Sequence, residues 1–473
     1  MINRANFSLI KIKAMIKKII GVSLVAGLFL ASCTTKKEET TEDKEITKEA
    51  AFLPFTADMA ETSVVYEVNV RQFSPEGTFA AVTKEIPNIK KLGVKILWLM
   101  PIYPIGVENR KEGLGSYYSI KDYRGINPEF GTADDFKKLV DEAHKNGIYV
   151  IMDWVANHTA WDHPWVKQHP DWYEKDKNGK MHSPYDWSDV VALNFDNKEM
   201  RQAMIADMKY WLDDFKVDGF RCDMAHEVPT NFWEEAKPQL ANGREIFMLG
   251  ETENADLLVN AFDAAYGWEI HHIMNDIAKG KKNVSAIDTY MDSIPKKWQA
   301  DDYKLLFTSN HDENSWAGTE YERMGDAVET FAALTYTLPG IPLIYNGQEE
   351  DFNRRLKFFV KDSIDRNPNS KMRGVYEKLG ELKVTNEAFN GAKKAASYER
   401  LKTSDDKAIL AFKRKKNTTE AYFIANLTKA EKEVTVPING VYKNFMNNEN
   451  VTFDAATKLK LKPWEYLILV QKK

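Results

Sequence analysis

Cysteine is almost missing from this sequence: Cys33 and Cys222 are the two thiols in 473 residues. Cys33 closes a leader-like segment, so Cys222 has no partner and a disulfide framework is excluded. In a strand setting Cys222 reads as a small packing residue. A basic excess is missing too. The formal charge is -5 and the pI is near 6.1, which leaves no electrostatic footprint for nucleic acid. The apolar run from Ile19 to Leu30 falls short of the roughly 20 residues a membrane-spanning helix needs. What is present is aromatic: 12 Trp and 20 Tyr, ample for ligand stacking although most belong to the core or its support. A chain of 473 residues has room for a barrel of about 250 residues or more and a smaller domain.

Lys17-Lys18 precede the Ile19 to Leu30 run, and Leu30-Ala31-Ser32-Cys33 ends it. A charged region, a short apolar region and a small-residue site form the pattern of an export signal. The last four residues resemble the bacterial lipobox, which implies a signal peptide over 1–32 and acylation of Cys33. Met15 is an alternative start, because the signal is complete without residues 1–14. Several acyl chains, at about 0.8 kcal/mol per buried methylene, make a stable membrane anchor. Residues 33–55 then read as a lipidated, disordered tether, charged and without apolar period from Thr34 to about Ala50. Lys37-Glu38-Glu39 resembles surface-export signals of outer-membrane lipoproteins and reads equally as a solvated charge run. The expected location is extracytoplasmic and lipid-anchored in the cell envelope, at the outer membrane, with surface display an open alternative.

Gly219-Phe220-Arg221-Cys222-Asp223 reads as a buried strand. In a strand of period two, Arg221 and Asp223 point to one side together. A guanidinium beside a carboxylate lowers its pKa, so Arg221 is expected to hold Asp223 ionised, as a nucleophile requires. A structural ion pair would look the same. Three further apolar runs end alike: Tyr149 to Asp153 runs into Trp154-Val155-Ala156-Asn157-His158, Ile246 to Gly250 stops at Glu251, and Leu305 to Ser309 stops at Asn310-His311-Asp312. Four strand ends with catalysis-capable groups, separated by helix-length segments, fit a (β/α)8 barrel, which gathers such groups at one face.

On these four segments the sequence resembles the α-amylase family of retaining glycoside hydrolases, over roughly residues 60 to 390. The resemblance implies an enzyme in which Asp223 attacks the anomeric carbon, Glu251 serves as general acid and then base, and Asp312 binds sugar hydroxyls and favours the distorted ring. Arg221 would orient Asp223, and His158 and His311 would hydrogen-bond the sugar on the glycone side of the cut. Gly115 to Tyr123 resembles the family loop that presents a stacking tyrosine, which places Tyr118 there with Tyr117 as its rival. After the nucleophile, His226 and Glu227 would touch the leaving part of the glucan, although the same residues also suit a helix start.

Many relatives hold calcium with an asparagine of the first segment and an aspartate from a short motif. Asn157 matches the first ligand. In Val190-Val191-Ala192-Leu193-Asn194 the aspartate position is Ala192, and losing a carboxylate weakens such a site. Asn157 therefore stands as a candidate calcium ligand only, with no cofactor required.

The expected architecture is a (β/α)8 barrel over 56–390, a small B domain inserted after the third strand at about 157–194, and an antiparallel β-sandwich domain over 391–473. Barrel strands are expected at Val64–Asn69, Ile96–Met100, Ile148–Asp153, Gly219–Asp223, Phe247–Glu251, around Ala264–Tyr266, Leu305–Ser309 and Ile341–Tyr345. The expected activity is hydrolysis of α-glucosidic bonds in starch, glycogen or maltooligosaccharides. A transglycosylase, a debranching or exo-acting enzyme, and a non-catalytic glucan-binding lipoprotein are the alternatives. The three carboxylates together argue against the last.

Overall fold

The computed structural model describes residues 52–454 and 457–471. Cys33 and the expected signal peptide lie outside them, as does the tether up to residue 51. Phe52 and Phe55, at the end of that expected tether, are packed instead: Phe55 is buried and Phe52 stacks on His144 at 4.1 Å. Apolar rings so close to the barrel base have a surface to cover, and that fixes the chain there. Among the described residues no helix is long and apolar enough to cross a membrane.

Eight parallel strands close a barrel. In chain order the strands of this region are β1 (Val65–Val68), β2 (Ile96–Leu99), β3 (Tyr149–Val155), β4 (His158–Ala160), β5 (Val190–Ala192), β6 (Gly219–Asp223), β7 (Phe247–Gly250), β8 (Ala264–Tyr266), β9 (Tyr303–Leu306) and β10 (Ile341–Tyr345). The barrel runs β1-β10-β9-β8-β7-β6-β3-β2, while β4 and β5 form a separate antiparallel pair. The expected sixth strand is present as β8. The largest departures from the expected bounds are in β3 and β9. β3 continues to Val155, since it pairs with β6 as far as Val155 opposite Asp223. β9 ends at Leu306, and Phe307 to Ser309 leave the ladder on their way to His311 and Asp312.

Alternation along the strands divides the core. Val65, Trp98, Ile151, Leu249, Tyr266 and Leu305 fill the barrel interior, and residues such as Tyr66, Leu97, Val150 and Met248 face the helices. Helix Ala133–Lys145 shows how the sequence builds the outer layer. Phe136, Leu139, Val140 and Ala143 make its buried stripe, and a Thr132–Asp135 capping box starts it, as the helical period and the cap preference require. At Gly219 the backbone passes so close to the Phe247 carbonyl that a Cβ would collide with it, and its φ is +156°. Glycine at that position lets β6 and β7 meet where both strands begin, at the end of the barrel opposite Asp223 and Glu251.

The segment between β3 and β6 forms the insertion over the barrel mouth, held by the β4–β5 pair with His158 opposite Ala192. Beyond the barrel lie β11 (Ser397–Arg400), β12 (Ile409–Lys416), β13 (Thr419–Asn426), β14 (Lys432–Val434), β15 (Gly440–Asn444), β16 (Asn450–Phe453), β17 (Leu459–Leu461) and β18 (Tyr466–Gln471). Six of them make one antiparallel sheet, and β14 pairs with β17 beside it. One face of β12 places Ile409 and Ala411 in the core of this domain; Leu410 and Phe412 on the other face join the barrel's core. Buried Arg414 donates to the carbonyls of Thr337, Asn390 and Ala396, tying the sheet to the barrel.

Candidate active site

β6 carries Arg221, buried completely, two residues before its end at the barrel mouth. Its Nη1 lies 2.9 Å from Asp153 Oδ1 and 2.9 Å from Asp223 Oδ1, and its Nη2 2.9 Å from Glu251 Oε2, the last an ion pair outside hydrogen-bond geometry. Nε donates to the Tyr266 hydroxyl at 3.0 Å, and the guanidinium sits over the Trp98 ring at 5.0 Å. Three carboxylates from β3, β6 and the end of β7 thus share one cation. The planar fork of arginine suits this, because each nitrogen can serve a different oxygen.

Glu251 also accepts a hydrogen bond from the Met224 N–H at 2.9 Å. Met224 reaches that position in the left-handed region, at φ +43°, a conformation that costs energy in a side-chain-bearing residue and clusters at functional sites. Asp312 stands at the start of a π-helical turn, Glu313–Ala317; its Oδ2 is 3.3 Å from His311 Nε2.

Tyr118 donates from its hydroxyl to Asp153 Oδ2 at 3.1 Å and meets His311 Nε2 at 2.8 Å. Its ring stacks on His311 at 5.4 Å and lines the cavity. Tyr117 instead is buried under the Arg71 guanidinium, 4.3 Å from its ring centre. The cavity, about 360 Å³, also takes in His158, Asp223, Glu251, His311 and Asp312. Trp187, Trp316, Phe358 and Phe359 give it apolar walls. His226 and Glu227 stand at the rim, outside that lining. His226 Nδ1 is 3.2 Å from the Glu251 carbonyl, and His226 Nε2 is 3.5 Å from Glu227 Oε1.

Burial decides the charges. It pushes the Asp223 carboxyl well above the usual range, with Arg221 pulling against it and Glu251 adding to the rise. Arg221 is therefore not the one influence on Asp223: burial and Glu251 act against it, and the guanidinium is divided among three carboxylates. Glu251 is desolvated as well, yet Arg221 and the Met224 N–H hold it below its ordinary value. Burial lowers His158 to about 4, so that ring is neutral. It also pushes the Cys222 thiol far up, which leaves an inert packing residue.

Asn157 does not make a calcium site. Its Nδ2 lies 3.3 Å from His158 Nδ1, and Ala192 offers only a methyl group where the pattern calls for a carboxylate. Among the described residues no cluster of three or more His, Cys, Asp or Glu could hold a metal ion. A hard cation with six to eight oxygen ligands is not served by this donor set.

Several functional residues were not anticipated from the sequence. Glu67 on β1 lies behind His311 at 2.6 Å. A carboxylate inside an otherwise apolar strand was its signal. Trp98 and Tyr266 pack on Arg221 from the barrel interior, and Trp316 follows Asp312 by one turn. Nothing local distinguishes these three from ordinary core or surface aromatics.

Comparisons with known proteins agree with this arrangement. The family described as "Alpha amylase, catalytic domain" matches residues 36–192 and 168–461. Alpha-amylase MalA of Haloarcula japonica is 31% identical over 315 residues, 63% of this chain and 46% of that protein, so the chain spans about half of that relative's length. A probable oligo-1,6-glucosidase of Bacillus subtilis is 25% identical over 72% of this chain and 76% of its own. Among solved structures, the maltogenic α-amylase AmyB of Thermotoga neapolitana superposes with a TM-score of 0.80 at 28% identity, covering 87% of this chain and 99% of that one. An α-amylase from Lactobacillus plantarum gives 0.79 at 30% identity, over 88% of this chain and 100% of its own. With the closed parallel barrel, the carboxylates at its mouth and a family match over most of its length, this chain belongs to the α-amylase family of glycoside hydrolases.

Proposed function

We propose that the protein hydrolyses α-glucosidic bonds in starch, glycogen or maltooligosaccharides with retention of configuration, through a glycosyl intermediate on Asp223. The observation that carries this reading is the shared guanidinium: Asp223 and Glu251 both lie 2.9 Å from Arg221, at the ends of adjacent strands. A retaining enzyme needs two carboxyls about 5 to 5.5 Å apart, whereas an inverting one leaves room for a water between them. Two carboxyls on one guanidinium, at the ends of adjacent strands, suit the closer spacing.

In the ligand-free cleft burial raises the Asp223 carboxyl and Arg221 pulls it down. As a glycosidic oxygen comes beside Glu251 and positive charge develops at the anomeric carbon beside Asp223, the ionised form of Asp223 gains and the proton belongs on Glu251. Asp223 then forms the bond to the anomeric carbon while the glycosidic C–O bond breaks and Glu251 protonates the departing oxygen. Water enters, Glu251 takes its proton, and the oxygen displaces Asp223. Asp312 would hold the sugar hydroxyls, Tyr118 would support the apolar face of the ring, and neutral His158 and charged His311 would donate hydrogen bonds.

The two carboxylates should fail differently. Asp223→Asn abolishes turnover of every α-glucoside, because no leaving group compensates for an absent nucleophile. Glu251→Gln loses most activity on starch yet keeps far more on α-glucosyl fluoride, whose leaving group needs little protonation. Equal loss on both substrates with unchanged folding would remove Glu251 as the acid, and normal turnover by Asp223→Asn would remove the intermediate.

A further inference from the structure

Glu67 lies on β1, which sits between β2 and β10 in the barrel and ends in none of the four catalytic segments. It is fully buried beneath the cleft floor, where a carboxylate is costly unless it is bound. Its Oε1 is 2.6 Å from His311 Nδ1. On its other nitrogen His311 meets the Tyr118 hydroxyl at 2.8 Å and Asp312 Oδ2 at 3.3 Å.

Counting hydrogens fixes the state of the ring. The Tyr118 hydroxyl has one proton and donates it to Asp153 Oδ2 at 3.1 Å. Towards His311 its oxygen therefore accepts, which requires an Nε2–H. At the other nitrogen stands Glu67, which burial raises and His311 pulls back down; as a carboxylate it accepts, and that requires an Nδ1–H. Both nitrogens carry hydrogen, the imidazolium form.

We infer that Glu67 is a positioning residue for the proposed reaction: it keeps His311 charged, with its Nε2–H directed at Tyr118, Asp312 and the cavity, and so fixes the floor on which the sugar ring rests. The inference depends on reading the cleft as an α-glucan site. A chain of contacts runs from Glu67 through His311 and Tyr118 to Asp153, and from there to Arg221 and the reacting pair. The groups acting on His311 come from several elements: Glu67 from β1, Asp312 from its own turn, Tyr118 from the loop after β2, and Asp153, Arg221 and Glu251 from the neighbouring strands. Burial lowers the ring's pKa, and Asp312 and Glu67 more than reverse this, leaving it at about 9. Asp312 is partly open to water, so Glu67 is the desolvated partner, and a charge acts more strongly where water is excluded.

Glu67→Gln keeps the shape and an acceptor for Nδ1–H but removes the charge. The test follows the His311 Hε1 resonance against pH in wild type and Glu67→Gln, with the assignment taken from His311→Gln, and measures maltotetraose kinetics at pH 6 and pH 8. Glu67→Gln is expected to lower the His311 pKa by about one unit or more, roughly a tenfold change in its protonation equilibrium. KM should rise more at pH 8 than at pH 6, with kcat falling less than KM rises. Glu67→Asp, which restores the charge, should recover the high pKa, and it carries the titration if Glu67→Gln fails to fold. Identical His311 titrations in wild type and the charge-neutral variant would overturn the inference, as would equal losses of kcat and KM at both pH values. A wild-type protein that titrates as expected but turns over no α-glucan would instead overturn the reading of the cleft.

Discussion

At the scale of single residues, the four strand-end segments make Asp223, Glu251, Asp312, His158 and His311 legible in the sequence alone, because each ends an apolar run and needs no tertiary context to stand out. Their charges are not legible there. Arg221 beside Asp223 suggests an ionised acid when the pentapeptide is taken alone; Asp153 and Glu251, distant in sequence, draw on the same guanidinium. Burial then raises Asp223 while Glu251 is held low. Glu67 escapes a sequence reading for a related reason. A charged residue in a buried strand is ambiguous until its partner is known, and His311 lies 244 positions away along the chain.

Among elements, the barrel strands are readable within a few residues, since buried parallel strands appear as short apolar runs. The loops are harder. Between β10 and helix Lys371–Thr385 the chain forms a long irregular loop that carries Phe358 and Phe359. Hydrogen bonds fix it: Arg354 to Asp362, Gln72 to the Lys357 carbonyl, and the Leu114 N–H to the Phe359 carbonyl. Phe358 packs against Trp316 at 5.3 Å and lies nearly parallel to Tyr118 at 6.5 Å. Trp316 is 56% exposed and lines the cavity together with Asp312 and Phe358. A π-helical turn holds it there, a feature frequent at functional sites. This wall suits a second glucose unit beyond the one on Tyr118. An aromatic face contributes about 1 kcal/mol, so Trp316→Ala should lower the ratio of kcat/KM on nitrophenyl maltoside to that on nitrophenyl glucoside by about fivefold. An unchanged ratio would show that the wall does not touch the glycone.

Across the whole molecule, the sheet after the barrel is recognisable from alternating segments such as Ala421 to Ala425. Its attachment is not: Arg414 and the second apolar face of β12 bind it to the barrel through residues distant in sequence. The chain enters the described structure at Phe52, which packs near Tyr149 at the base of β3, while Asp153 further along that strand holds Arg221 beneath the cleft. If Cys33 is acylated as the lipobox resemblance implies, the protein should partition with membranes and Cys33→Ala should release it to the soluble fraction; continued partitioning would remove the lipid as the cause. The central claim is double displacement at Asp223 and Glu251, and the stereochemistry of the first product tests it most directly. Proton NMR during the first moments of maltotetraose cleavage, before mutarotation, should show the α anomer at the newly formed reducing end. Initial release of the β anomer would contradict the account.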